Sequence, residues 1–378
     1  MKNPFVTGGY VSPKYFCDRE KETDNIISLL SNGNNIALIS PRRFGKTDLI
    51  THCFRQEGIN DEYHTFLIDI YATKSLSDFV AVFGSSVIQT LRSKGRAAWE
   101  MFIGMLTSVR SEISYDMEGK PVWSIGLGNI EHPATTLDEI FRYLNMADKP
   151  CLVAIDEFQQ ISRYSDGENV EAALRTHIQR CSNASFLFSG SQRHLMNNIF
   201  LSPSKPFYQS VTTMNLQAIP LEKYKAFCQE KFKEGEKEIS EETVTEVYEK
   251  CNATTMYMQR IMNILYMQTP EGKTCSIEQV QPAIDYLLEL SSDTYESLFV
   301  QIPEKQRNLL LAIASERKAN EVMSGAFVRK HRLPSASSVS VALKGLLEKD
   351  FITFDNGYYS IYDLFFQMWI ERRFLKPL

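Results

Sequence analysis

The sequence contains no apolar run that approaches the roughly 18 successive apolar residues of a membrane-spanning helix. Its first residues, Met1-Lys2-Asn3-Pro4-Phe5-Val6-Thr7-Gly8-Gly9, hold no apolar core of the kind a secretory leader uses. Cysteine is scarce: seven residues, at 17, 53, 151, 181, 228, 251 and 275, odd in number and without a C-x-x-C pair. That argues against a disulfide framework or a zinc ribbon and leads us to expect free thiols in a reducing cytoplasm, with no membrane partner. The six histidines show no H-E-x-x-H or related spacing, which argues against a structural or catalytic zinc. Internal repeats and low-complexity tracts are missing as well. What remains is an ordinary globular composition, 43% apolar and 23% charged.

At 378 residues the chain exceeds the size at which one core stops growing, so two or three domains are expected. Charge separates them. Residues 301–378 carry 12 Lys/Arg against 8 Asp/Glu, a net of +4, and the rest of the chain carries −9 of the total −5. An acidic body with a mildly basic end is compatible with a C-terminal nucleic-acid module but does not require one.

From Asn34 to about Pro220, short apolar runs alternate with helical stretches, the mark of a parallel sheet with crossover helices. The expected strands are Ile36–Ser40, His64–Tyr71, Cys151–Ile155, Ser185–Ser189 and Thr212–Leu216. Between the second and third lies an insertion, centred on about 95–135. It reads as a helix over Ser77–Met105, then a hairpin of Glu112–Met117 and Pro121–Leu127 turning at Glu118-Gly119-Lys120. No chemistry attaches to that hairpin. From Leu221 the period becomes helical: Val244, Val247, Tyr248 and Cys251 fall at i, i+3, i+4, i+7, as do Met258, Ile261, Met262 and Leu265. Ser276-Ile277-Glu278-Gln279 has the form of a capping box.

The last segment has a third character. Helices are expected from Pro303 through Ser315, over Ser324–His331, and from a Ser335 cap with Val339, Ala342, Leu343, Leu346 and Leu347 on its apolar side. Strands Phe351–Phe354 and Tyr358–Ile361 follow, joined at Asp355-Asn356-Gly357, and a helix Asp363–Phe374 ends the pattern. Helix–helix–helix–hairpin is the order of a winged helix-turn-helix. The domains expected are thus 1–220, 221–295 (a helical lid) and 296–378 (the winged helix).

Two motifs carry chemistry. The first is Ser40-Pro41-Arg42-Arg43-Phe44-Gly45-Lys46-Thr47, followed by Asp48, between a strand and a helix. It matches the phosphate loop G-x-x-x-x-G-K-[ST] except that Ser40 replaces the first glycine. Backbone N–H groups of such a loop face phosphates at a helix N-terminus. Lys46 would reach the β- and γ-phosphates and Thr47 would hold Mg²⁺. Alone, the motif is also what a basic turn before a helix looks like. The second is Leu152-Val153-Ala154-Ile155-Asp156-Glu157, an apolar strand ending in two acids, about 110 residues later. Asp156 would hold Mg²⁺, usually through its water, and Glu157 would orient or deprotonate the attacking water. The two together, in this order, specify a nucleotide site. A third strand, Ser185–Ser189, ends in Ser189-Gly190-Ser191. In the additional-strand P-loop ATPases a polar residue there touches the γ-phosphate or the water, and either Ser189 or Ser191 could serve.

The chain resembles the archaeal-type ATPases of the AAA+/STAND branch of P-loop NTPases. The resemblance rests on Phe16-Cys17-Asp18-Arg19-Glu20, on the phosphate loop, and on Phe66-Leu67-Ile68-Asp69-Ile70. It continues in Ile155-Asp156-Glu157-Phe158-Gln159, Ser189-Gly190-Ser191, Leu346-Leu347-Glu348-Lys349-Asp350-Phe351-Ile352, Tyr362-Asp363 and Trp369. It implies an AAA+-like α/β fold with a parallel sheet covered by helices on both faces, followed by a helical lid and a winged helix. It also implies ATP or ADP with Mg²⁺ as cofactors, ATP hydrolysis as the activity, and Arg19 bordering the base pocket. Two departures stand out. Where the family often has an arginine in a Pro-Leu-x-x-Arg setting, this chain has Pro206-Phe207-Tyr208-Gln209, leaving Arg193 or Arg260 to compensate. The family's Gly-Gly-x-Pro in the lid is replaced near Asn252-Ala253-Thr254-Thr255.

Three functions are in view at this stage. One is an ATPase whose nucleotide state repositions the helical and winged-helix domains, with slow or partner-dependent turnover. Another is a nucleotide-gated DNA-binding regulator, contacting DNA through Arg329, Lys330 and Arg332. The third is a binding-only scaffold. A protein partner or self-association is compatible with each.

Overall fold

The computed structural model of the chain describes residues 3–92, 112–115, 121–124, 130, 132–355 and 357–375. It divides into two compact units: Val6–Tyr224 with Thr254–Met256, and Met1–Phe5 with Lys225–Ala253 and Tyr257–Leu378.

The first unit is built on a five-stranded parallel sheet. Its strands are β1 (Ile36–Ile39), β2 (His64–Asp69), β5 (Cys151–Asp156), β6 (Ala184–Gly190) and β7 (Thr212–Asn215), in the order β2-β5-β6-β1-β7. All five occur where the apolar runs place them. Strands buried on both faces read as continuous apolar runs, and the two faces can be told apart by the strand period of two. Ile36 and Leu38, with Leu152, Ala154 and Leu187, pack on helices α1 (Glu20–Ser31) and α2 (Lys46–Phe54). Ala37 and Ile39, with Val153, Ile155, Phe186 and Phe188, face the opposite core. There they meet α3 (Leu76–Arg92), α4 (Pro133–Asn145), α5 (Gly167–Arg180) and α6 (Arg193–Leu201). Helices therefore cover both faces.

The insertion shows two short strands, β3 (Glu112–Tyr115) and β4 (Pro121–Ser124), paired antiparallel as the sequence suggests. The rest of the helix expected through Met105, and the turn at Glu118-Gly119-Lys120, lie outside the described residues.

The second unit is mostly helical. Helices α7 (Leu221–Glu234), α8 (Glu241–Lys250), α9 (Thr255–Gln268) and α10 (Val280–Leu290) contribute to it, and the periodic residues are buried except Tyr248, which is half-buried. Ser276 and Gln279 form the capping box, with Ser276 N donating to Gln279 Oε1 at 2.9 Å. Phe5 is fully buried here, against Phe227, Phe232 and Tyr266. The winged helix consists of α12 (Glu304–Glu316), α13 (Gly325–Lys330), α14 (Ala336–Glu348), and the hairpin β8 (Ile352–Asp355) and β9 (Tyr358–Ile361). Ser335 caps α14 as expected, and Ser324 caps α13. Helix α11 (Ser292–Gln301) precedes it and α15 (Leu364–Ile370) follows; Trp369 of α15 donates to Ser292 Oγ at 3.2 Å. The winged helix and the helical segment before it thus share one compact unit.

All seven cysteines are thiols outside any disulfide, and all are buried. Burial pushes the thiols of Cys17, Cys53 and Cys151 up to about 12, so they are poor nucleophiles. Among the described residues no helix is long and apolar enough to cross a membrane.

Candidate active site

The strand order explains how distant residues converge. Strand β6 lies between β1 and β5, so the carboxyl ends of all three point the same way. Ser40, Asp156 and the Ser189–Ser191 segment therefore gather at one edge, where open parallel sheets bind ligands.

At the end of β1 the chain turns sharply. Ser40 is fully buried, and its N–H donates to Gly190 O at 3.2 Å. Its small side chain turns back on the loop, donating to Pro41 O at 3.0 Å. Arg43 and Gly45 both adopt left-handed backbone, with φ 70° and 85°. Gly45 takes this conformation without cost, whereas at Arg43 it stores roughly 1–2 kcal/mol of strain of the kind that clusters at functional sites. Lys46 starts α2 and is buried. Its ammonium donates back to the carbonyls of Ser40 (3.1 Å) and Pro41 (3.3 Å). Burial draws its pKa down; the carboxylates of Glu157 and Asp156 oppose the shift and Arg42 adds to it. Asp48 is half-buried and its pKa is raised by that burial, against a bond from the Tyr10 backbone. Phe44 packs at the margin of the core below α2.

Two adjacent acids face this loop in different environments. Asp156 is buried and accepts three bonds: from Thr47 Oγ1 at 2.7 Å, from the Ser189 hydroxyl, and from the Glu157 N–H at 3.0 Å. Glu157 has left-handed backbone, φ 56°. Its Oε2 accepts from Ser191 Oγ at 2.7 Å and from the amide of Gln159. Arg42 completes the chain of bonds, its Nε donating to Ser191 Oγ at 3.2 Å, while its guanidinium lies 5.3 Å from the centre of the Tyr71 ring.

Ser189 and Ser191, which the sequence could not separate, thus hold different acids. Parallel register puts Phe188 opposite Ile155, so Ser189 falls beside Asp156, and the next outward-facing position reaches Glu157. Sequence reasoning gave Gln159 no role; its proximity to Glu157 comes from the 3₁₀ turn Phe158–Arg163, which carries no sequence signal.

Other candidates are placed elsewhere. Arg19 is buried, with left-handed backbone, and its guanidinium binds Glu22 (2.8 Å) and the carbonyl of Gln217 (2.7 Å). It ties the segment before α1 to the segment after β7. Arg193 opens α6, two residues beyond Ser191, with its Nε buried and lacking an acceptor among the described residues. Arg260 belongs to the second unit, 5.2 Å from the Phe365 ring centre. Gln209 is exposed and bonds Tyr208 OH at 3.2 Å.

The oxygen donors Thr47 and Asp156 suit a hard divalent ion that keeps waters and takes its remaining ligands from phosphates. Among the described residues no group of three or more His, Cys, Asp or Glu side chains gathers to cage an ion unaided.

Comparison with known proteins agrees with this architecture. A model for a probable winged helix domain matches residues 293–372. Among solved structures, a Walker-type ATPase of Pyrococcus abyssi is similar at a TM-score of 0.66 and 16% identity, over 97% of this chain and 99% of that one. The ORC1 protein of Aeropyrum pernix, in complex with DNA, is similar at 0.57 and 12% identity, over 98% and 97%. The ORC2 protein of the same organism, in ADPNP–ADP complexes, is similar at 0.52 and 11%, over 98% of each chain. Comparison with curated proteins returned no match. The chain has the P-loop NTPase fold of these archaeal ATPases, with a C-terminal winged helix.

Proposed function

We propose that this protein binds ATP with Mg²⁺ and hydrolyses it to ADP and phosphate, as a member of the STAND branch of AAA+ ATPases. The observation that carries the reading is the Thr47–Asp156 contact of 2.7 Å beside a buried Lys46 and an anchored Glu157. The strand order brings Thr47 and Asp156, 109 positions apart in sequence, to one place where their oxygens could share an ion. The backbone N–H groups of the Ser40–Thr47 loop and the start of α2 would cradle the phosphates. Lys46 would exchange its carbonyl partners for phosphate oxygens. Thr47 and Asp156 would hold Mg²⁺, which supplies charge neutralisation at the phosphates. Glu157 would take a proton from the attacking water. Isothermal titration with ATP, with and without Mg²⁺, together with phosphate release, tests this. A folded protein that binds no ATP at millimolar concentration overturns it.

Within the first unit, Met256 N donates to Arg43 O, in the phosphate loop, at 3.1 Å. We infer that nucleotide state repositions the lid and winged helix; hydrogen exchange over α9 (Thr255–Gln268) with and without ATP tests this.

A second reading, a nucleotide-gated DNA binder, is favoured by one observation. Arg329 and Arg332 are exposed and form no ion pair among the described residues. The ORC1 neighbour is described as a DNA complex. Salt-dependent binding of duplex DNA tests this reading. Gln209, where the resemblance expects an arginine, supports slow turnover or activation by a partner.

A further inference from the structure

Glu157 is held from one side only. Both bonds to its carboxylate, from Ser191 Oγ at 2.7 Å and from the Gln159 amide, fall on Oε2. Gln159 Nε2 also lies 3.4 Å from Ser191 Oγ, so the three side chains form a closed triangle. The amide must face this way, since turning it would set a carbonyl oxygen against a carboxylate.

The rest of Gln159 is immobilised by packing. The residue is 3% exposed. Its backbone follows Phe158, which is fully buried among Phe188, Phe200 and Phe207. Its Oε1 sits against Gly190, where a Cβ would come within 2.5 Å of it and 2.3 Å of Met196 Sδ. Gly190 is thus the residue that makes room for the glutamine. A buried amide whose Oε1 has no hydrogen-bond donor costs stability. The core would be better served there by an apolar side chain of the same size.

We propose that Gln159 is a positioning residue for hydrolysis: with Ser191 it fixes Oε2 of Glu157 and leaves Oε1 as the oxygen that receives the proton of water. This inference rests on Glu157 acting as the base. In that step an O–H bond of water breaks and its proton goes to Oε1. The water oxygen bonds the terminal phosphorus, and the bond from that phosphorus to the bridging oxygen breaks with its electron pair leaving on ADP. The proton then passes to solvent. Left-handed backbone at Glu157, φ 56°, sets where its side chain starts, and Gln159 sets where it ends.

The test uses Gln159→Leu, which keeps size and removes the donor, and Gln159→Glu, which keeps shape and puts a second carboxylate beside the first. With Gln159→Leu, ATP affinity should stay within about twofold while kcat falls about tenfold to a hundredfold, the worth of one hydrogen bond to a charged group. Gln159→Glu should lower kcat at least as far with the KM for ATP again nearly unchanged, because two carboxylates then repel where one donor had held the base. In a Glu157→Gln background, Gln159→Leu should cost nothing more. Losses that multiply in the double variant, or a kcat that stays at the parent value in both single variants, overturn the proposal. If Gln159→Leu does not fold, the kcat and KM of Gln159→Glu decide alone. A Glu157→Gln protein that hydrolyses ATP at the parent rate would instead sink the reading of Glu157 as the base, so the two failures are distinguishable.

Discussion

The carboxyl edge of the sheet and the outer face of the winged helix are both charged surfaces, and they use their charges in opposite ways. At the sheet edge Lys46 and Arg42 donate to carbonyl and hydroxyl oxygens, weak partners that a phosphate can displace. On the winged helix several cations already have carboxylates. Lys330 and His331 both bind Glu316, and Lys344 of α14 lies 3.8 Å from Glu348 one turn on. The remainder of the outer face of α14 is Ser337, Ser340 and Val341, the last 75% exposed. A surface built for an anionic ligand keeps cations on neutral acceptors, as Lys46 is kept on the carbonyls of Ser40 and Pro41. Position in the fold is therefore a poorer guide to binding than the partners each charge already has.

The sharpest way to break this contrast is at the two ends of the phosphate loop network. Lys46→Ala should abolish measurable ATP binding, because Lys46 neutralises phosphate in ground and transition states alike. Glu157→Gln should bind ATP almost normally while turnover falls by roughly 10²–10⁴-fold, the contribution typical of a general base. Titration calorimetry and phosphate release read both; equal losses of binding in the two variants would mean misfolding rather than chemistry. Lys46 also gives the site a pH dependence. Burial lowers its folded-state pKa, and only the ammonium form attracts phosphate. ATP affinity should therefore hold below that lowered pKa and fall as pH rises through it, at a lower pH than for an exposed lysine.

On the winged helix the expected effects are smaller and partly of opposite sign. If DNA binds, Arg329→Ala with Arg332→Ala should weaken it uniformly across sequences and reduce the salt slope by about 2. Lys330→Ala should do less, since its ammonium is already neutralised. Glu316→Gln should tighten binding by releasing Lys330 and His331. Fluorescence anisotropy over a salt series checks all three, and no binding of the parent protein near 50 mM salt would remove DNA from consideration.

These contrasts also show what the sequence can and cannot carry. The inner strands were legible because they are buried on both faces and so read as apolar runs, as in Cys151–Asp156, whereas β2 and the edge strand β7 are partly exposed and were legible from their alternation with helical stretches. The motifs were legible because phosphate chemistry constrains residue type and spacing at once. The partners of each charge were not, because they depend on strand order: nothing local in Ser189-Gly190-Ser191 says that β6 enters between β1 and β5. Gln159 was hidden for a related reason, since a 3₁₀ turn brings it back over Glu157. Arg260 and Arg193 looked equivalent in sequence, yet one belongs to the second unit and the other to the first.

The smallest expected effect concerns strain rather than charge. At the sheet edge Arg43 and Glu157, non-glycine residues with left-handed backbone, sit in the loop and at the strand end proposed to hold the nucleotide. In the second unit the same conformation recurs at the end of α8, where Asn252 and Ala253 have φ 47° and 54°. Their N–H groups close the helix end, Asn252 on Glu249 O at 3.0 Å and Ala253 on Tyr248 O at 2.9 Å, a double return that glycine makes most easily. This is the place where the resembled family carries Gly-Gly. Left-handed backbone costs an alanine roughly 1–2 kcal/mol, and glycine gives back about 0.4–1 kcal/mol through its freer unfolded chain. Ala253→Gly should therefore raise stability by about 0.5–1 kcal/mol, read as a higher denaturant midpoint at unchanged slope. Asn252→Gly should gain less, because asparagine tolerates the conformation better. Turnover should not change in either variant if the strain only closes a helix. A gain in stability accompanied by a loss of turnover would instead show that the turn before α9 stores strain for the site, as Arg43 and Glu157 do.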